Sequence, residues 1–167
     1  LTSNVIFNIQ WDLALKFMSS SKKGVDKAKI AKDSTDLGNY KNNSNKSITS
    51  SGALKLVSSK KENNSKWETI AKGTTSKDEV LLTSGASDEF KVMNVYDMAG
   101  NMWEWTTEVR DRKYKSKTSK ETNDFSVLRG GSFSNNGNNY PVSYRNGISD
   151  TSSTDIYIGF RAVLYVK

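Results

Sequence analysis

The chain has 167 residues, with 25 Lys and Arg against 18 Asp and Glu, a formal charge of +7, and neither Cys nor His. That inventory excludes disulfides, thiol chemistry and metal sites built on Cys or His, and it removes the commonest general base. The length suits one domain, residues 1–167, and no apolar run approaches the roughly 20 residues needed to span a bilayer.

In chain order, the first predicted element is a helix over Ile9 to Met18. Trp11, Leu13, Ala14, Leu15, Phe17 and Met18 include pairs at three- and four-residue spacing, Asp12 and Lys16 lie four apart, and Asn8 is the expected cap. Val25 to Lys32 follows a Gly24 break as a second short helix, on the spacing of Val25, Ala28 and Ala31. Asp33 to about Lys66 is rich in Ser, Asn, Lys and Gly and reads as loop. Trp67-Glu68-Thr69-Ile70 and Glu79-Val80-Leu81-Leu82 read as short strands or turns, and Gly85 to Asp88 as a turn. At the C-terminus, Ile156 to Val166 has the period-2 pattern of a strand, with Phe160, Ala162, Leu164 and Val166 alternating against Arg161, Val163 and Tyr165. Helices near the front with short strands behind them predict an α+β domain.

Nineteen of the 20 Lys residues precede Glu121, and Ser134 to Ile158 contains none. The Lys residues are scattered among Ser, Asn and Thr instead of being interleaved with aromatics, so they predict a solvated basic surface and no nucleic-acid partner. The opening residues lack the basic and apolar regions of a signal peptide, and no initiator Met is present. The reading is the C-terminal part of a longer protein.

Three motifs carry the family information: Asn94 to Trp105 (NVYDMAGNMWEW), Leu128 to Phe133 (LRGGSF) and Gly159-Phe160-Arg161. Their order and gaps resemble the C-terminal half of the formylglycine-generating enzyme, or sulfatase-modifying factor, superfamily from about Gln10 to Val166. The resemblance implies a C-type-lectin-like fold with short strands, one or two helices near the N-terminus and long loops. No counterpart of the family's opening strand is recognised ahead of the Trp helix.

On a strand, Trp103 and Trp105 share one face and Glu104 takes the other. The resemblance implies structural calcium held by the Asp97 side chain, the Gly100 and Met102 carbonyls and Glu104, an oxygen set that suits this ion. The alternative is a Glu104 ion pair with Arg129 or Arg161. The family's oxidases hold copper with two cysteines, at positions taken here by Asn135 and Tyr140, and soft Cu(I) selects sulfur ligands. The iron-dependent sulfoxide synthases of the same fold need His ligands. Neither copper nor iron, and no catalytic residue, is therefore expected. Asp111, Glu121 and Asp124 read as a solvated charge run, and Gly130-Gly131 is not followed by the Lys-Ser/Thr of a phosphate loop.

Asn, Ser, Tyr and Gly make up 15 of the 25 residues from Ser134 to Ile158. This palette supplies rigid amphipathic area and adaptable hydrogen bonds in binding loops, although the same residue types dominate ordinary turns. The expected ligand contacts are Asn135, Asn136, Asn138, Tyr140, Ser143, Tyr144, Asn146, Asp150, Asp155 and Tyr157. The segment also resembles the variable region of retroelement-diversified proteins of this fold and of prophage tail and surface proteins. That resemblance implies a non-catalytic domain on a phage tail or bacterial surface, binding a protein or glycan receptor on a cell, with homo-oligomerisation left open. The alternatives are a structural tail or assembly domain, and an enzyme of unfamiliar chemistry.

Overall fold

The computed structural model describes residues 2–20, 22, 24–44, 46–59, 64–112, 123–149 and 155–165. Strand β1 (Thr2–Val5) lies ahead of helix α1 (Asn8–Met18) and pairs antiparallel with the last strand, β12 (Ala162–Tyr165). This opening strand was missed because its ladder partner is about 160 residues away in sequence, and nothing local marks it. The helix begins one residue earlier than expected. Phe7, extended at φ −74° and ψ 149°, is the N-cap, and its N–H donates to Gln10 Oε1 at 2.9 Å, so Asn8 lies inside the helix.

Trp11, Leu15 and Met18 form the buried stripe of α1, whereas Ile9, Leu13 and Phe17 are exposed. Helix α2 (Lys27–Ala31) is capped by Asp26, which accepts from the Ala28 N–H at 2.9 Å. It buries Ile30; of the expected series, Val25 just ahead of the helix packs against the core, whereas Ala28 and Ala31 are exposed.

The stretch read as loop contains more structure than its composition announced. A 3-10 turn (Thr35–Leu37) and β2 (Lys46–Ser47) are followed by a hairpin of β3 (Leu54–Ser59) and β4 (Asn64–Thr69), and β2 pairs with β5 (Thr75–Ser76). Glu79 to Leu82 is not a strand; within it Leu82 makes an isolated bridge to Lys55. Next, β6 (Lys91–Val92) and β7 (Val95–Tyr96) form a tight hairpin whose central residues, Met93 and Asn94, take φ of 50° and 65°. Paired positive φ values match the twist of flanking strands in two-residue turns.

The largest sheet has the order β10 (Asn146–Ile148), β9 (Asn123–Arg129), β8 (Trp103–Arg112), β11 (Ile158–Phe160), with β11 parallel to β8 and the other pairs antiparallel. The single C-terminal strand expected from sequence splits at Arg161, since β11 joins β8 while β12 joins β1. Its inward face is the opposite of the apolar-looking one. Val163 packs against the core, whereas Phe160 and Leu164 are 69% and 68% exposed. Val166 lies outside the described residues.

One core cluster surrounds Trp11, Tyr40, Met98 and Val142; a second, under the β3–β4 hairpin, surrounds Ile48, Leu82 and Phe90. Full burial of a side chain as large as Trp11 contributes about 2–3 kcal/mol, and its indole Nε1–H is satisfied by the Val142 carbonyl at 3.3 Å. Among the described residues no helix is long and apolar enough to cross a membrane.

Candidate functional site

The block from Asn94 to Trp105 becomes a rigid corner through local conformation. Asp97, Gly100 and Asn101 all have positive φ, of 51°, 68° and 64°. At Gly100 a side chain is excluded twice over, since an added Cβ would lie 2.7 Å from the Asn39 carbonyl carbon and oxygen. The contact is a parallel bridge between Asn39 and Gly100, with the Asn101 N–H donating to Asn39 O at 2.9 Å. Asn101 then clamps the Leu82 backbone as a strand would. Its Oδ1 accepts from the Leu82 N–H and from Asn39 Nδ2, each at 3.0 Å, and its Nδ2 donates to Leu82 O at 3.0 Å.

Trp103 and Glu104 take opposite faces of β8, as the alternation predicts. Glu104 meets Arg161, whose Nε donates to Oε2 at 2.9 Å and whose Nη2 donates to Oε1 at 2.8 Å; Nη2 also donates to the Asp97 carbonyl at 3.0 Å. Asp97 Oδ2 accepts from the Ser84 hydroxyl at 2.9 Å and the Gly85 N–H at 2.7 Å. Burial pushes both carboxyls above their ordinary range. The Gly85 and Ser84 bonds and then Arg161 oppose the rise at Asp97; Arg161 opposes it at Glu104, where the Asp97 charge adds to it.

Of the four positions named for calcium, Asp97 and Glu104 are thus brought together around a guanidinium. Both Glu104 oxygens and the Asp97 carbonyl are directed at Arg161, so Glu104 already has a cation, and a calcium ion drawing on this carboxylate would compete with the guanidinium for it. Among the described residues no group of three or more His, Cys, Asp and Glu side chains is placed to hold a metal.

A second charged cluster ties α1 to the sheet. Arg129, 1% exposed, donates to Asp12 Oδ1 at 2.6 Å and stands 5.8 Å from the Trp11 ring centroid. Arg145 donates to Asp12 Oδ2 at 2.7 Å and pairs with Glu108 at 3.1 Å. Burial lowers the Arg129 pKa, and Asp12 opposes that shift. The sequence reading passed over Asp12 and Arg145 because their partners are remote in the chain.

Residues 134–149 lie across this frame, and their backbone is fastened to it. Ser34 accepts from the Val142 N–H through Oγ at 2.9 Å, and its own N–H donates to Gly137 O at 3.1 Å. Asn42 Oδ1 accepts from the Gly137 N–H at 2.9 Å, and the Lys41 N–H donates to Asn135 O at 2.9 Å. Tyr40, fully buried, donates its hydroxyl to Gly130 O at 2.7 Å and Tyr140 O at 2.9 Å. Burial raises its phenol far above the ordinary value, so it remains a donor at physiological pH. Gly137 is pressed onto the backbone at Thr35, where a Cβ would lie 2.4 Å from the nitrogen. Sequence reasoning missed Ser34, Tyr40 and Asn42; the available signal was a lone aromatic, Tyr40, inside a polar stretch.

Of the expected contact residues, Asn135, Asn146, Asp155 and Tyr157 line one cavity of about 180 Å³ together with Trp103 and Ser132. Tyr140 and Tyr144 stack edge to face with centroids 5.2 Å apart, and both pack on Trp103, at 5.6 and 6.2 Å. Tyr157 lies 5.2 Å from Phe133. Asn136, Asn138 and Ser143 occupy the turns beside them, with Asn138 exposed. Asn135 has a second task, because its Oδ1 accepts from the Ser132 N–H at 3.1 Å and hydroxyl at 2.9 Å. Asp155 caps its own turn by accepting from the Tyr157 N–H at 3.0 Å. Asp150, Glu121 and the side chains of Asp111 and Asp124 lie outside the described residues. A cavity this small falls below the usual 300–1,000 Å³ of small-molecule sites, but Tyr157 also lines a larger one of about 570 Å³ with Phe133, Ile156, Leu56 and Val80.

Residues 21–166 match the family described as sulfatase-modifying factor enzyme 1-like domain. The chain belongs to that family. Its fold is C-type-lectin-like, and the Gly100 corner, the Arg129 cluster and the Arg161 ion pair are what the three motifs build in this member. Among solved structures, Treponema denticola variable protein 1 is similar at 18% identity and a TM-score of 0.47, over 96% of this chain and 46% of that one. The chain therefore spans less than half the length of that protein. No curated protein matches the chain.

Proposed function

We propose that this domain is a non-catalytic recognition module whose binding face is the Asn/Ser/Tyr-rich segment, presented to a protein or glycan receptor from a phage tail or bacterial surface. The observation that carries the reading is the way the segment is held. Core residues grip it through main-chain atoms at Asn135, Gly137, Tyr140 and Val142, which leaves the side chains of Asn136, Asn138, Ser143 and Asn146 out of the fastening. The Trp103–Tyr140–Tyr144 cluster offers rigid amphipathic area with little entropy to lose on binding. Such an arrangement also tolerates exchange of outward side chains, the property that retroelement diversification requires. The test is replacement of Tyr140, Tyr144 and Tyr157 together by Ala. Target adhesion is expected to be lost while the variant still unfolds cooperatively, and unchanged adhesion by a folded variant overturns the assignment. For diversification, the expected result at the locus is a near-identical template repeat with substitutions confined to adenines.

The second reading is an assembly domain, favoured by the exposed Ile9, Leu13 and Phe17 stripe on α1. It predicts that Leu13→Lys shifts the chain from oligomer to monomer in light scattering without changing adhesion per chain.

A further inference from the structure

A separate cavity of about 350 Å³, sharing no residue with the 134–158 segment, opens between the β3–β4 hairpin and the end of β11. Trp67, Met102 and Phe160 supply apolar walls, and Asp97, Glu104 and Arg161 a polar one. Trp67 is 48% exposed and Phe160 69% exposed. We propose that this cavity binds a quaternary alkylammonium group, held against Trp67 and Phe160 and facing the Asp97, Glu104 and Arg161 wall.

Charge, hydrogen bonding and wall chemistry point to the same ligand. Two carboxyl groups and one guanidinium line the cavity, and the guanidinium ion-pairs with Glu104, while the Asp97 carboxyl has no ion pair among the described residues. Lys66 and Glu68, the charged neighbours of Trp67 on β4, pair with each other at 2.9 Å and do not line it. Aromatic faces attract cations through the ring quadrupole, most strongly for Trp, and aromatic side chains around a site are a known means of holding quaternary ammonium groups; Trp67 and Phe160 both line this cavity. The acidic groups are already engaged, Glu104 through both oxygens by Arg161 and Asp97 by Ser84 and Gly85. A cation that needs no hydrogen-bond acceptor is therefore preferred over a primary ammonium or a saccharide, whose donors would compete with those bonds. The volume lies within the range of small-molecule sites, which are mostly apolar with a few polar groups.

The experiment is an NMR titration that follows the Trp67 indole N–H and the Met102 methyl. Choline chloride should shift both saturably, n-butylammonium should bind more weakly, and the neutral isostere 3,3-dimethyl-1-butanol should leave both unmoved. Trp67→Ala and Phe160→Ala, both at exposed positions, should each weaken choline binding by about tenfold, read at Met102, while Trp67→Phe and Phe160→Tyr should retain it. Equal binding of the neutral isostere or of methyl glucoside overturns the proposal, as does a shift with calcium chloride but not choline. No saturable shift with choline overturns it too.

Discussion

The corner from Asp97 to Trp105 and the segment from Ser134 to Ser149 touch each other, yet they are held by opposite means. In the corner, side chains carry the structure: Asn101 replaces a ladder bond, Asp97 ties down the turn at Gly85, and Glu104 neutralises Arg161. In the segment the backbone carries it, gripped by Ser34, Tyr40 and Asn42. Substitutions should therefore be costly in the first region and cheap in the second. The exceptions are Asn135 and Arg145, whose side chains also brace the frame, Gly137, which has no room for a Cβ, and Val142, which is buried in the core.

Replacements in the frame test that contrast most severely. Trp11→Ala removes the largest fully buried side chain, and chemical denaturation should show a loss of about 3–5 kcal/mol, enough to unfold a marginal domain. Arg161→Met leaves the Glu104 carboxylate without its cation in a largely desolvated position. A loss of about 3 kcal/mol is expected, and the double variant Arg161→Met with Glu104→Gln should recover part of it. A fully additive cycle would mean that the pair is not coupled.

Tyr40→Phe probes the boundary between the two regions. It removes the hydroxyl that bridges Gly130 and Tyr140, at a cost of about 1–3 kcal/mol, and hydrogen exchange should quicken along residues 134–144. An equally protected segment would show that the grip lies elsewhere. A chelator separates the two cations that the corner could use. With Arg161 as counter-ion, melting is unchanged by chelator, whereas a chelator-sensitive melt abolished by Glu104→Gln would assign calcium to Asp97 and Glu104. At the small end, Asn138→Ala on the exposed turn should change stability by less than about 0.5 kcal/mol while lowering adhesion.

The parts legible in sequence were those whose physical signal is local. The α1 spacing gives the helix, though the residues named for it include the exposed Leu13 and Phe17 beside the buried Trp11, Leu15 and Met18, and the opposite faces of Trp103 and Glu104 follow from strand alternation. Trp67 to Thr69 of β4 fell within a run read as a short strand or turn, whereas its partner β3 was hidden because its short Leu54-Lys55-Leu56-Val57 run is set among Ser, Asn and Lys, the composition of a polar loop. The C-terminal run misled for a related reason. Period two marks a strand, but it does not say which face looks inward when Arg161 is held by buried acids.

Sequence by itself determined the family, the absence of thiol and imidazole chemistry, and the polar, Tyr-bearing character of the 134–158 segment, since these depend only on which residues occur and in what order. Tertiary structure decided which cation meets Glu104, which residues grip the segment, and that Trp67 and Phe160 line one cavity with Asp97. Each of those outcomes joins positions tens of residues apart, and their meeting depends on sheet order and loop closure, for which the chain carries no local mark.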